Sequence, residues 1–160
     1  MAQLQASAGL RLKIAYLFAG IGYNGMVFRE ARRAAAAADK PLLNAGCKKR
    51  YIHQADFNLD IVPRKVPNFI RGDIQDLNNI QDKQFGAVYC AHVLEHLDNP
   101  EAAICELNRI AENVFIITPP PFWPWAWFYP GHKWMFWGTR KICRIRRLNL
   151  NRLFNGKAKA

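Results

Sequence analysis

LLNAG at residues 42–46 is the first of three short apolar runs that decide the fold of this chain. The second run is FNLD at residues 57–60, and the third is FIRGD at residues 69–73. Each run closes on a small or acidic residue, namely Gly46, Asp60 or Asp73. Strands that end in this way are typical of an open α/β sheet, whose ligands bind beyond the carboxyl ends of the strands. The runs therefore predict neighbouring strands with a binding site at their ends.

A strand, a helix and a further strand follow along the chain. Residues 85–91 form a buried apolar run, and residues 114–117 form a β-branched one. Between them, Asp98 or Asn99 is suited to cap a helix that has Pro100 at its first position. The expected inner face of that helix consists of Ala103, Leu107, Ile110 and Ala111. Strand, helix and strand in this order predict a parallel sheet with helices packed against it.

The beginning of the chain predicts a helical segment. Apolar residues recur at helical spacing between Leu10 and Phe28, and alanine, the strongest helix former, dominates residues 29–38. Three glycines at positions 20 to 25 weaken the middle of that helix, and Pro41 ends it. The expected organisation is one domain, with a helical segment at 1–40, an α/β core at 41–120 and a C-terminal extension at 121–160.

The C-terminal extension differs sharply from the core in composition. Residues 122–137 contain all five tryptophans, and the sequence from Thr139 onward predicts a basic amphipathic helix. No clear strand is expected after Thr118. The formal net charge is +11, and residues 113–160 carry nine Lys or Arg without any Asp or Glu. A basic end favours phosphate, nucleic acid or an anionic membrane as a partner, whereas the nearly neutral core favours a small-molecule site.

Cysteine usage and hydropathy favour a cytoplasmic protein. The four cysteines form no C-x-x-C pair, which indicates reduced thiols. No apolar run reaches 18 residues, so the sequence predicts no transmembrane helix. Residues 14–22 have the length of a signal-peptide core, but the charged residues that follow argue against that interpretation.

The ordered pieces of the core resemble the class I S-adenosylmethionine-dependent methyltransferases. These pieces are LLNAGC, NLDI, FIRGDI, FGAVYCAHVLEH and VFIITPP, and the branch with HVLEH after its fourth strand is the most similar. The resemblance spans residues 41–120 and a later His132-Lys133-Trp134. It implies an α/β, Rossmann-like fold: a mostly parallel sheet with flanking helices, truncated after the fifth strand, that binds S-adenosylmethionine.

The resemblance also implies which residues hold the cofactor. Gly46 would contact its methionine part, Asp60 its ribose hydroxyls, and Asp73 with Ile74 its adenine, while His92 would lie near it at the end of the fourth strand. Physical chemistry agrees for Asp60, because a carboxylate offers two acceptor oxygens to two O–H donors. For Asp73, the alternative is a carboxylate that only caps the turn that follows it.

Methyl transfer requires mainly in-line positioning, because a sulfonium methyl group is already activated. A base is needed only when the acceptor is a hydroxyl or a protonated amine. His132 is the candidate for that base, since it follows the fifth strand, and its alternative role is a hydrogen bond within an aromatic loop. Neither the methyl acceptor nor the oligomeric state can be inferred from the sequence.

Two departures from the family pattern favour a rival interpretation. Lys48 replaces the second glycine of the usual Gly-x-Gly loop, and Gly86 replaces the usual aspartate after Phe85. The rival is a non-catalytic binding module on the same fold. A nicotinamide site is disfavoured, because the loop lacks the G-x-G-x-x-G pattern that brings a helix against a pyrophosphate.

HVLEH at residues 92–96 also matches H-x-x-E-H, an inverted zinc-protease motif. Such a site needs a further protein ligand, and no Asp or Glu follows Glu112. No metal is therefore expected. Hydrogen bonding that shapes the loop is the alternative role for Glu95 and His96, and for His96 it is the favoured one.

Residues 122–154 are expected to lie on an anionic membrane surface. Tryptophan and tyrosine prefer the headgroup level, and five basic residues follow them: Arg140, Lys141, Arg144, Arg146 and Arg147. One alternative is single-stranded nucleic acid, which also binds arginines and stacking aromatic rings. Another is that the aromatic residues fold back over the edge of the sheet. Membrane binding would make a lipid-linked or membrane-borne methyl acceptor the expected substrate.

Overall fold

The computed structural model describes residues 21–48, 51–137 and 140–144. Five parallel strands form its central sheet in the order β3-β2-β1-β4-β5. Their bounds are Leu42–Ala45 for β1, Phe57–Asp60 for β2, Phe69–Arg71 for β3, Phe85–Ala91 for β4 and Ala111–Ile117 for β5. The predicted Rossmann-like class and all five predicted strands are confirmed.

The central strands β1 and β4 are buried on both faces, which explains why they are mostly apolar runs. Alternate residues of a strand point to opposite faces, so Leu42 packs in one hydrophobic cluster and Leu43 in the other. In the same way, Tyr89 faces the first helix, α1, whereas Val88 and Cys90 lie in the cluster that includes the second helix, α2. The core is therefore two apolar layers separated by the sheet.

Helix α1, Ile21–Ala37, covers one face of the sheet. It contains two of the three glycines that were expected to weaken it, so that expectation is wrong for this part of the helix. Residues 1–20 lie outside the described residues. A Cβ on Gly86 of β4 would lie 2.9 Å from both Cα and O of Ala35, so this glycine lets α1 approach the strand closely. The departure from the family pattern at Gly86 thus has a packing reason.

Helix α2, Pro100–Ile110, covers the opposite face. Asn99 is its N-cap, and the Asn99 side chain accepts a hydrogen bond from the N–H of Ala102 at 3.1 Å. Ala103, Leu107 and Ile110 are fully buried, as predicted. Ala111 is buried too, but it begins β5 instead of ending the helix.

The C-terminal extension contains two strands, so the expectation of none after Thr118 is wrong. A short helix, α3, spans Pro124–Phe128, and β6, Trp134–Trp137, pairs with β7, Arg140–Arg144, in an antiparallel hairpin. The expected basic helix is therefore wrong over Arg140–Arg144, and residues 145–154 lie outside the described residues. Burial explains the strand, because Met135 and Phe136 are almost inaccessible and Phe136 joins the core cluster that includes α2.

The aromatic residues of the extension whose side chains the structure describes divide into two groups. Trp134 donates its indole N–H to the carbonyl of Leu97 at 2.9 Å and packs against the core. By contrast, six residues remain exposed: Phe122, Trp123, Trp125, Trp127, Phe128 and Tyr129. We call these six the aromatic surface. The idea that aromatic residues fold back onto the core is thus confirmed only for the hairpin. Among the described helices, none has the length and apolar character needed to cross a bilayer.

Candidate functional site

The main cavity opens at the carboxyl ends of the strands. Its volume is about 600 Å³, and Gly46, Asp60 and His92 line it from the ends of β1, β2 and β4. The strand order reverses between β1 and β4, and open α/β sheets bind ligands at such a reversal. A second cavity of about 270 Å³ shares Gly46 and Asp60 and continues along Asp73 and Ile74. All five predicted cofactor residues therefore line one continuous cleft.

Gly46 lies where a side chain would not fit. Its φ of 70° is in the left-handed region, and a Cβ would lie 2.3 Å from Cγ2 of Val93. The Gly46 N–H donates to the carbonyl of Leu59 at 2.8 Å, which turns the chain sharply after β1. The bare backbone of Gly46 consequently forms part of the cavity wall.

The carboxylate of Asp60 is buried and receives three hydrogen bonds. Oδ1 accepts from the N–H of Val62 at 3.0 Å, and Oδ2 accepts from the N–H of Lys48 at 3.2 Å and from Nε of Arg64 at 2.7 Å. Burial alone would raise the pKa of Asp60, but these donors outweigh it and hold the pKa below its usual range. Asp60 is therefore ionised at neutral pH.

Arg64 is a site residue that sequence reasoning missed. It lines the cavity four positions after Asp60 and forms an ion pair with it. With two donors on Oδ2 and one on Oδ1, this carboxylate has only part of its accepting capacity left for a ligand. A diol that binds both oxygens of Asp60 must therefore displace Arg64. An arginine so close in sequence to a strand-end aspartate was the available signal.

Asp73 caps the turn that follows β3. Its Oδ1 accepts from the backbone N–H of Gln75 at 2.9 Å, and the Gln75 side-chain amide also contacts both oxygens. The capping alternative thus describes part of what Asp73 does, yet Asp73 also lines the smaller cavity. Ile74 next to it is buried and supplies an apolar wall.

Lys48 adopts a conformation that suits glycine. Its φ is 40°, and a left-handed backbone costs an ordinary residue roughly 1 kcal/mol. Lys48 also lines the main cavity, where the resembled family has a glycine. The lysine side chain therefore adds bulk and positive charge to the predicted cofactor site without disrupting the loop.

Behind the cavity wall lies a second buried carboxylate, Glu95, in a 3₁₀ turn that spans Leu94–His96. It is 1% exposed, and neither of its oxygens has a hydrogen-bond partner in the part of the chain that the structure describes. Oε1 lies 3.5 Å from Nδ1 of His92 and 4.0 Å from Nε2 of His132. The alternative in which the Glu95 side chain forms hydrogen bonds is therefore not seen among the described residues.

His132 does not line the main cavity, although its neighbours Tyr129, Pro130 and Gly131 do. Its Nδ1 lies 2.7 Å from the carbonyl oxygen of Ala126, and its side chain is 10% exposed. These contacts show His132 hydrogen-bonded within the aromatic loop, which is the alternative role predicted for it from the sequence. A role as a base remains a prediction from the resemblance.

The fold and the cleft define a Rossmann-like α/β protein whose main cavity lies at the reversal of its strand order. A family profile described as a methyltransferase domain matches residues 20–114 of the chain. The chain therefore belongs to the class I S-adenosylmethionine-dependent methyltransferase family. No curated protein matches it.

Proposed function

We propose that this protein binds S-adenosylmethionine in the cleft and transfers its methyl group to an acceptor. One observation carries the proposal: the residues that end β1 and β2 and follow β3 meet in one cleft where the strand order reverses. In this arrangement the bare backbone at Gly46 takes the methionine part, Asp60 the ribose, and Asp73 with Ile74 the adenine. His92 closes the cleft from the end of β4.

Cofactor binding requires one rearrangement in the cleft. Arg64 occupies Oδ2 of Asp60, so the ribose hydroxyls exchange with the guanidinium. Arg64 is about a quarter exposed, which leaves it room to turn toward solvent. Its departure also removes a positive charge from the neighbourhood of the cationic sulfonium. The rest of the reaction requires positioning of the acceptor in line with the methyl group.

Isothermal calorimetry with S-adenosylmethionine, and separately with its demethylated product, tests this proposal. We expect one site per chain for both ligands, and no comparable heat with a nicotinamide dinucleotide. Absence of binding by a protein with a normal circular-dichroism spectrum would refute the cofactor assignment. That outcome would favour the non-catalytic binding module instead.

We also propose an anionic membrane as the partner of the C-terminal extension. The supporting observation is the aromatic surface, in which Trp125 is 73% and Phe128 77% exposed. Exposed rings of this kind suit the boundary between headgroups and acyl chains, and the basic residues of the extension suit a negative leaflet. The methyl acceptor would then be lipid-linked or carried in the membrane.

Flotation with liposomes tests the membrane proposal. We expect binding to vesicles with anionic lipid that weakens with salt and with the double variant Trp125→Ser/Phe128→Ser. Met26→Ser is the matched control, because Met26 is an exposed apolar residue of α1. Equal binding to neutral vesicles, or an equal loss in the control, contradicts the proposal. If the protein binds single-stranded nucleic acid but does not float with vesicles, nucleic acid is favoured as the partner instead of a membrane.

A further inference from the structure

The environment of Glu95 poses a chemical problem that the methyltransferase site does not resolve. A buried charged group is costly unless it is paired and hydrogen-bonded. Glu95 is 1% exposed, and its carboxylate accepts no hydrogen bond from the described residues. The chain has four histidines, and three of them surround this carboxylate: His92, His96 and His132.

The hydrogen bonds of two of these histidines determine which ring nitrogen can act as a ligand. Nδ1 of His132 lies 2.7 Å from the carbonyl oxygen of Ala126, and Nδ1 of His96 lies 2.9 Å from that of Gly131. A carbonyl only accepts, so each Nδ1 carries the proton. In the neutral ring, each Nε2 therefore carries a lone pair. Such a backbone contact is how proteins fix the tautomer of a metal-binding histidine.

Nε2 of His132 then faces Oε1 of Glu95 at 4.0 Å, with a lone pair opposite a carboxylate. Two acceptors held face to face in a buried site need a species between them that donates protons or carries positive charge, and a metal ion meets this need. Three possible ligand atoms lie within 4.8 Å of one another, one each from Glu95, His96 and His132. Ligands about 2.1 Å from a common ion lie roughly 3 to 4 Å apart, so small side-chain movements close the site.

We propose that Glu95, His96 and His132 bind a divalent transition-metal ion. Two imidazoles and one carboxylate form a donor set that zinc uses in catalytic sites, and imidazole favours such metals over magnesium. Three protein ligands leave at least one coordination position for water or another molecule. His96 also lines the main cavity, so the ion would lie at its wall. His132 would then be a metal ligand instead of a base.

The loop that carries His132 is shaped to reach the turn that carries Glu95. A Cβ on Gly131 would lie 2.9 Å from Nδ1 of His96, so glycine is needed for this close approach. The N–H of Lys133 donates to the carbonyl of Glu95 at 2.6 Å, which joins the two segments directly. The three ligands are therefore held by backbone contacts on both sides of the site.

Calorimetry on the full chain, stripped of metal and free of S-adenosylmethionine, tests this proposal. We expect one Zn²⁺ per chain, bound at least tenfold more tightly than Mg²⁺. Glu95→Gln and His132→Gln should each weaken Zn²⁺ binding at least about tenfold. His53→Gln is the matched control, because His53 is exposed and outside the cluster. The visible spectrum with Co²⁺ should show nitrogen and oxygen ligands without a thiolate band.

Unchanged Zn²⁺ binding in folded Glu95→Gln and His132→Gln variants would overturn the proposal, as would a wild-type chain that binds no ion. A proton or a bridging water molecule is the competing species, and in either case no metal ion binds. If Glu95→Gln fails to fold, His96→Gln replaces it. Cofactor binding is measured in a separate titration, so failure of either proposal is distinguishable from failure of the other.

Discussion

Two buried carboxylates belong to the segments that wall the cleft, and their surroundings are opposite. Asp60 at the end of β2 receives three N–H donors, one of them charged. Glu95 in the turn after β4 receives none from the described residues and faces histidine nitrogens instead. On the β2 side of the cleft the negative charge of Asp60 is thus compensated by donors, whereas in the turn after β4 no described donor compensates the carboxylate of Glu95.

Under the two proposals, the two carboxylates are kept ready for their ligands in different ways. Asp60 is held ionised by internal donors, of which Arg64 is exchangeable because it is partly exposed. A neutral diol can take its place. Glu95 is too deeply buried for such exchange with solvent, so its partner must be enclosed in the fold, and the metal ion proposed above is such a partner.

The largest effect is expected at Gly46, where the turn after β1 packs closely against Val93 in the segment after β4. Gly46→Ala places a Cβ 2.3 Å from Cγ2 of Val93 and requires a left-handed alanine. Together these effects should lower the free energy of unfolding by about 2–4 kcal/mol and abolish measurable cofactor binding. Chemical denaturation and calorimetry provide the measurements.

The double variant Gly46→Ala/Val93→Ala is the control for that change. It removes the colliding methyl group, so it should recover part of the lost stability while the cost of the left-handed alanine remains. If the stability of the double variant does not recover at all, the collision with Val93 is not the reason that position 46 requires glycine.

The second-largest effect is expected from Asp60→Ala. Loss of the paired hydrogen bonds to ribose should cost roughly 1.5–3 kcal/mol, which is about a ten- to hundredfold loss of S-adenosylmethionine affinity. Titration calorimetry measures it, with a thermal melt to show that the variant folds. Unchanged affinity in a folded variant would remove Asp60 from the site. Of the two carboxylates, only Glu95 would then still have a proposed ligand.

Arg64→Gln should act in the opposite direction. An ion pair that is partly exposed contributes at most about 1 kcal/mol, and the cofactor must break it. Removing it should therefore tighten S-adenosylmethionine binding by up to about fivefold. The same titration measures this, and the double variant Asp60→Ala/Arg64→Gln should show no such gain. Weaker binding in Arg64→Gln would indicate that Arg64 itself contacts the cofactor.

A smaller gain is expected from Lys48→Gly. Glycine relieves the left-handed backbone of Lys48 and removes a positive charge near the sulfonium, so affinity should rise a few-fold. Lys48→Ala separates the two effects, because it removes the charge but keeps the Cβ. A measured loss of affinity in both variants would show that Lys48 holds the carboxylate of the cofactor's methionine part.

The smallest effect concerns pH. The folded-state pKa of Asp60 is lowered, so its contribution to stability is complete above its unfolded pKa of about 3.9. This contribution declines below that pH and is lost once the pH falls through the folded pKa. The stability difference between the wild type and Asp60→Asn, measured by urea denaturation, should shrink over that acidic range. A difference that does not change with pH would contradict the assigned hydrogen bonds.

Local sequence signals were sufficient for the sheet and for α2. The strands β1 to β5 are short apolar runs, the first three of which close on small or acidic residues, and Asn99 with Pro100 begins α2 as predicted. These signals work because strand burial and helix capping depend on a few neighbouring residues. They were not sufficient for the hairpin β6–β7, because the burial of Met135 and Phe136 is a tertiary contact with the core.

Residue patterns alone were therefore enough to predict the class of the fold, the family and the strand-end positions that converge at the cleft. Parallel strands bring their carboxyl ends to one edge of the sheet, so the strand positions alone place Gly46, Asp60 and Asp73 near one another there. The ion pair of Arg64 with Asp60 is visible only in the folded chain, and so is the approach of His132 to Glu95. These contacts depend on how irregular loops pack, and no short-range periodicity encodes that packing.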